Sequence, residues 1–323
     1  MTTLGRSSRL TTGGGSRLPD RLFRGGSGVF AFGVIVLLFS IGILLFLLSI
    51  PTWREFGLAF VTGTEWDPVQ SIYGALPFIV GTLLTSFLAL IIAAPIGLLT
   101  AIFLAELAPR RVAVPVGFLV ELLAAIPSVV IGLWGVYLLS PFLRTTVEEW
   151  ITSTIGQVIP FFAGPTFGVG IFAAGVILSI MILPTIVSIS REVITAVPNS
   201  QREAMLALGA TRWETVTRAV LPFAKSGIIG AIILGLGRAL GETMAVTMVI
   251  GNSPQIPTRL FDQGQTISSQ IATTFNEAQV GLQTSALIAL GFVLLIMTIS
   301  LNIVARLLVR RVAGDGVGQA TGG

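Results

Sequence analysis

The longest uncharged apolar runs leave this chain few ways to fold. Val29–Ile50 contains no charged residue, and a helix needs ~20 apolar residues to cross a bilayer. Five further apolar segments follow: Ala75–Ala105, Ala113–Ser140, Ile171–Ser190, Gly227–Gly251 and Ser285–Leu308. Pro95, Pro127 and Pro184 interrupt several of them, which membrane helices tolerate. Only 11% of residues are charged, against roughly 25% in soluble domains, so lipid must be the main solvent. The expectation is an all-α membrane protein with six transmembrane helices. The first run follows a basic stretch, as in a signal peptide. It is longer than a usual h-region and no small-residue cleavage site follows, so it should remain as the first helix.

Flanking charge sets the orientation. Residues 1–28 are rich in Gly, Ser, Thr and Arg without an apolar period, and 312–323 are similarly polar and glycine-rich. Both read as disordered cytoplasmic tails around a membrane domain at 29–311. With the N-terminus inside, the inner segments carry the tail arginines, Arg110, Arg111, Arg191, Arg202, Arg212, Arg218, Lys225, Arg306, Arg310 and Arg311. The outer segments 51–74, 141–170 and 252–284 carry Arg54, Arg144 and Arg259. Both termini are therefore expected in the cytoplasm. Arginine distributed this way follows topology and gives no footprint for nucleic acid. In the outer segments Trp53, Trp66, Tyr73 and Trp150 are candidate headgroup-level anchors.

The chain has no cysteine and no histidine, which removes disulfides, thiolate metal sites and the commonest general base. No Gly-x-x-x-x-Gly-Lys-[Ser/Thr] loop is present, so the chain should not hydrolyse ATP by itself.

The inner segment 191–226 has a clear local code. Ser200-Gln201-Arg202-Glu203 has the capping-box form, predicting a helix over Gln201–Leu208 with Gly209 in the left-handed turn after it. Thr211-Arg212-Trp213-Glu214 repeats that form, predicting a second helix to Val220 before Leu221-Pro222 returns the chain to the membrane. Ala204, Met205, Leu208 and Trp213 give the pair an apolar surface. It suits either a helix pair lying on the membrane or a knob that docks a cytoplasmic partner.

Arg238 lies mid-way along Gly227–Gly251, where an arginine costs ~2.5–3.5 kcal/mol on insertion scales. Glu242, four residues on, is expected on the same helix face and within reach of it. An ion pair that only fixes packing is one reading. Desolvation makes such a pair a poor source of stability, so a functional pair is the stronger one. Glu106 reads as an interfacial acid. Glu121 reads either as an interhelical hydrogen-bonding group or as a pathway residue.

Glu203-Ala204-Met205, Gly209 and Leu221-Pro222 resemble the EAA loop of bacterial ABC-importer permeases. Met205 and Ala219 depart from that pattern and remain apolar. Gly235-Leu236-Gly237-Arg238-Ala239-Leu240-Gly241-Glu242-Thr243-Met244-Ala245-Val246 is similar to the fifth helix of the phosphate-importer permeases. So are Glu121 to Ser128, Leu133-Trp134-Gly135 and Gly251-Asn252. The resemblance implies a type I ABC-importer permease fold in a bacterial cytoplasmic membrane, importing inorganic phosphate. It implies ATPase coupling through Glu203, Ala204, Met205, Leu208 and Gly209, and a substrate pathway at Arg238, Glu242 and Glu121. The implied partners are a sister permease (PstA), an ATPase homodimer (PstB) that binds ATP and Mg, and an extracytoplasmic phosphate-binding protein (PstS). No cofactor is implied for this chain. Arginine suits phosphate because its planar fork donates two hydrogen bonds, and Glu242 would hold Arg238 when the pathway is empty. The rival readings are a permease for another oxyanion, a proton-coupled secondary transporter, and a receptor or scaffold with no pathway.

Overall fold

The computed structural model describes residues 17–317; the tail expectations for 1–16 and 318–323 lie outside them. Among the described residues, six helices are long and apolar enough to cross a bilayer. Spans one to six are Gly25–Phe56, Leu76–Leu107, Ser128–Thr154, Ile171–Thr195, Arg212–Gly241 and Leu282–Leu307. The first helix starts at Arg17 and the last runs to Val317. Residues 17–28 and 312–317, expected as irregular tail, instead prolong helices. Adding a residue to a formed helix is far easier than nucleating one.

The chain divides into two compact units, one ending at Leu47 and the other beginning at Leu48. The first is a single helix, apolar on every face from Val29 onward, as a lipid-immersed helix is. The second holds the remaining spans, and its centre is span four. Ile177, Ile182 and Ile186 there are wholly buried against Ala89 and Ala93 of span two, Ala239 of span five and Val246 and Val249 beyond it. Small residues let the helices approach, as is usual where lipid gives no hydrophobic drive for association. A Cβ on Gly97 would stand 2.9 Å from Ile186, and one on Gly235 would stand 3.0 Å from the same side chain.

Two of the expected spans are broken. Ala113–Ser140 is two helices, Arg110–Ala125 and one that begins at Ser128 and continues to Thr154 through π-helical turns at Gly135–Leu139 and Leu143–Glu148. Between them Ile126 and Pro127 are extended, with ψ of 127° and 138°. Proline bars its predecessor from the helical region and has no N–H to continue the ladder. Pro95 and Pro184, by contrast, stay inside their helices. Gly227–Gly251 also divides: the helix ends at Gly241 and a short one follows at Met244–Val249. The short helix seats on span three, where a Cβ on Gly132 would lie 3.0 Å from the Ala245 backbone.

The segments expected to face outward are packed structure. Trp66–Asp67 and Ile72–Tyr73 form a small antiparallel hairpin. Trp66 lies edge-on to Tyr73 and Phe78, and Trp53 edge-on to Phe60. Tyr73 is buried, and Trp53 and Trp66 are half-buried, so these three pack into an aromatic core. Trp150 alone of the four is exposed. Thr266 caps Ile267–Thr274 through a reciprocal box with Ser269. The Ile267 amide donates to Thr82 Oγ1 of span two at 3.0 Å, which pins that helix to the first turns of the span.

Candidate functional site

Span four ends at Thr195, and Pro198 opens a helix over Asn199–Ala207. The box expected at Ser200–Glu203 is not formed, and no side chain caps this helix. Pro198, extended at ψ 138°, makes the break two residues earlier, so Ser200 is already helical. The C-terminal expectation holds: Gly209 has φ +81°. The Ala210 amide donates to Met205 O at 3.1 Å and the Gly209 amide to Leu206 O at 3.0 Å, the bond pair of a Schellman motif. The second box also forms, with the Glu214 amide donating to Thr211 Oγ1 and the Thr211 amide to Glu214 Oε2.

The second helix does not stop at Val220. Arg212–Thr215 passes into a π turn at Val216–Val220, and Leu221–Gly241 continues from it. The Leu221 amide donates to Val216 O, one residue farther back than in an α-helix. The wider turn takes in Pro222, which has no amide to place. Glu203, Ala204, Leu208 and Gly209 are exposed and Met205 is half-buried, with Leu208 84% exposed. The coupling residues read from the sequence thus come together on one short, solvent-facing helix with its glycine joint.

Beneath that helix is a contact the sequence did not suggest. Arg202 Nη2 meets Glu106 Oε1 of span two at 2.6 Å. Glu106, expected as an interfacial acid, is therefore the ion-pair partner of the Asn199–Ala207 helix. The signal available was small: an acid at the end of one span and an arginine at the first turn of a loop helix.

Arg238 and Glu242 are not paired. Arg238 is exposed in the last turn of span five, and its Nη1 donates to Thr185 Oγ1 of span four at 3.3 Å. Glu242 is outside the helix, extended at ψ 131°, and its Oε1 accepts from the Ala245 amide at 3.3 Å. The expected i, i+4 contact fails because the helical repeat it needs ends at Gly241. Among the described residues the one ion pair is Arg202–Glu106.

Arg238 opens on a cleft of ≈ 550 Å³ between spans five and six, lined also by Gly237, Thr298, Asn302 and Arg306. Thr298, Asn302 and Arg306 recur every four residues and so share a helix face. That spacing was legible, but Arg306 was read only as a topology marker. A Cβ on Gly237 or Gly241 would meet nothing within 4 Å, so these two glycines face open space while Gly235 serves packing. Glu121 is elsewhere: it is exposed and lines a separate cavity of ≈ 480 Å³ with Gly117, Arg191 and Glu192. The structure does not bring it together with Arg238.

This arrangement has known counterparts. Residues 93–314 match the family described as binding-protein-dependent transport system inner membrane component. The phosphate transport system permease protein PstC of Mesorhizobium japonicum is 45% identical over 310 residues, 95% of each chain. That of Pasteurella multocida is 46% identical, covering 91% of this chain and 92% of its own. PstC 2 of Mycobacterium tuberculosis is 39% identical, covering 90% and 92%. Among solved structures, a chain of the inward-facing MetNI methionine ABC transporter aligns with TM-score 0.55 at 18% identity, over 77% of this chain and 99% of its own. A chain of a bacterial ABC transporter that imports alginate aligns with TM-score 0.54 at 21% identity, over 90% and 99%. These two give the fold, that of type I ABC-importer permeases. The chain belongs to the inner-membrane component family of binding-protein-dependent transport systems and, within it, to the PstC group of phosphate transport system permeases.

Proposed function

We propose that this chain imports inorganic phosphate across the bacterial cytoplasmic membrane as one permease subunit of an ATP-driven transporter. It acts with a second permease (PstA), an ATPase homodimer (PstB) that supplies ATP hydrolysis, and an extracytoplasmic phosphate-binding protein (PstS). Both termini are cytoplasmic, which puts the Asn199–Ala207 helix on the ATPase side. Closure of the ATPase pair pushes on that helix and alternates access around Arg238.

The observation that carries this reading is the state of Arg238. Among the described residues its guanidinium has one neutral hydrogen bond, to Thr185, and no carboxylate within ion-pair distance, and it opens on a cleft shared with Arg306 and Asn302. An arginine with donors to spare at the end of a membrane helix suits a doubly hydrogen-bonded phosphate. Glu242, turned toward Ala245, leaves those donors free. Its second oxygen can accept from a protonated phosphate oxygen, which unprotonated sulfate cannot supply.

The test is phosphate uptake by the complete complex in proteoliposomes. Arg238→Gln should lower uptake about 10–100-fold, the scale of losing hydrogen bonds to a charged partner, with the ATPase still bound. Native uptake by that variant would refute the assignment.

A further inference from the structure

The Asn199–Ala207 helix has no buried residue. Only Arg202 and Met205 along it are even half-buried, so the helix is held to the membrane helices at few points. Arg202 makes most of the directed contacts. Its Nη2 meets Glu106 Oε1 at 2.6 Å, and its Nε approaches the two carboxylate oxygens at 3.2 and 3.3 Å. Nη2 also donates to Ile194 O at 2.9 Å, and Nη1 donates to Val197 O and to Asn199 Oδ1. One guanidinium thus joins four places: the start of its own helix, the joint before it, the last turn of span four and the end of span two.

Each of these bonds has a local reason. Ile194 O is among the last carbonyls of a helix, which lack an intrahelical partner, and a cation is favoured there. Glu106 lies on the π turn Phe103–Leu107 that ends span two. The two side chains are 18% and 12% exposed, dry enough for the pair to hold one geometry. Behind them Ile102, Ile194, Val197, Val216 and Val220 form a buried apolar cluster. It joins the inner ends of spans two, four and five, and it contains no residue of the Asn199–Ala207 helix.

We propose that Arg202 and Glu106 are positioning residues, a clamp that makes the ATPase-facing helix move as one body with spans two and four. Apolar burial is non-directional, and Met205 alone would let the helix tilt under load. The forked bond set of Arg202 resists tilting and sliding together. Transport by this chain therefore depends on Glu106, which lies in neither the substrate cleft nor the ATPase-facing surface. The proposal rests on the reading above that the ATPase seats on this helix.

The experiment uses the complete complex in proteoliposomes and measures phosphate taken up per ATP hydrolysed, together with the amount of ATPase retained. A merely structural contact would change the yield of complex and leave that ratio unmoved. Glu106→Gln should reduce the ratio about tenfold, the effect of losing one charged hydrogen-bond pair, with the ATPase retained. Arg202→Lys, which keeps the charge and loses the fork, should fall between. Equal ratios in the native complex and Glu106→Gln would overturn the clamp. So would loss of the ATPase from both variants at normal permease levels, since the pair would then serve docking. A native complex whose ATP hydrolysis does not respond to phosphate would overturn the transport reading, and the clamp with it.

Discussion

The joint at Gly209 allows a perturbation whose magnitude can be worked out before the measurement. Gly209 has φ +81°, and a Cβ built there would meet nothing within 4 Å. Any penalty for a side chain is therefore conformational and not steric. The left-handed region costs an ordinary L-residue roughly 1–2 kcal/mol. A substituted chain can relax out of it when free, exchanging the amide bonds from Ala210 to Met205 O and from Gly209 to Leu206 O for water on this exposed turn, and must regain the left-handed joint to dock. Because this joint sets the angle between the Asn199–Ala207 helix and the capped turn at Thr211, the cost would fall on docking at the ATPase seat proposed above. Gly209→Ala should weaken binding of the purified ATPase to the permease pair in nanodiscs by about 5–30-fold, the range that 1–2 kcal/mol spans. Gly209→Asn, which enters the left-handed region more readily, should bind nearly as the native chain does, and Gly209→Val should be worst. If Asn and Val weaken binding equally, side-chain bulk at the ATPase surface is responsible and the backbone argument fails.

Other perturbations test neighbouring parts of the structure. Thr211→Ala removes both bonds of the Thr211 hydroxyl, including the one it accepts from the Glu214 amide to close the capping box, and should destabilise the Arg212–Thr215 turn by about 1 kcal/mol, read as faster amide hydrogen exchange at Glu214. Gly81→Ala would set a Cβ 2.2 Å from Gln265 O. It should lower the Tm of the detergent-solubilised complex through an overpacking cost of about 1–3 kcal/mol, while leaving ATPase binding unchanged. Arg238→Lys keeps the charge but not the fork, so phosphate uptake should persist with a higher KM; an unchanged KM would argue that the guanidinium shape is not used.

How much of this was legible depended on whether a signal was written in neighbouring residues. Six spans were visible because each contains a long apolar run, but the third lies at Ser128–Thr154 and the fifth at Arg212–Gly241, displaced from the runs at Ala113–Ser140 and Gly227–Gly251. The glycine joint was visible because a left-handed turn after a helix so often takes glycine. The Thr211–Glu214 box was legible and formed. The Ser200–Glu203 box was equally legible and did not form, because Pro198 had already broken the chain two residues earlier. A capping pattern says where a helix can start, and the nearest obligatory break decides where it does. Pro222 is the opposite case: expected where the second helix gives way to the return toward the membrane, it lies inside a continuous helix. A π turn, which has no sequence signature of its own, can absorb a missing amide.

The expected pairing of Arg238 with Glu242 is absent from the structure, and one residue accounts for the difference. Arg238 and Glu242 stand at helical spacing, so their pairing depended wholly on the helix continuing past Gly241. It does not continue, because Glu242 is extended and its carboxylate meets the Ala245 amide, while Met244–Val249 gains contact with Gly132 on span three. That contact is long-range, and nothing within the Gly235–Val246 segment reports it. The same limit hid Glu106 and Arg202, ninety-six positions apart and joined only by the packing of spans two and four. Two charges in this chain reach beyond their own helix, one to a tertiary contact and one to an open cleft. Arg202 proved to be the first case and Arg238 the second. A charge with its tertiary partner in place serves the frame, and a charge with donors left over on open space is the one available to an anion.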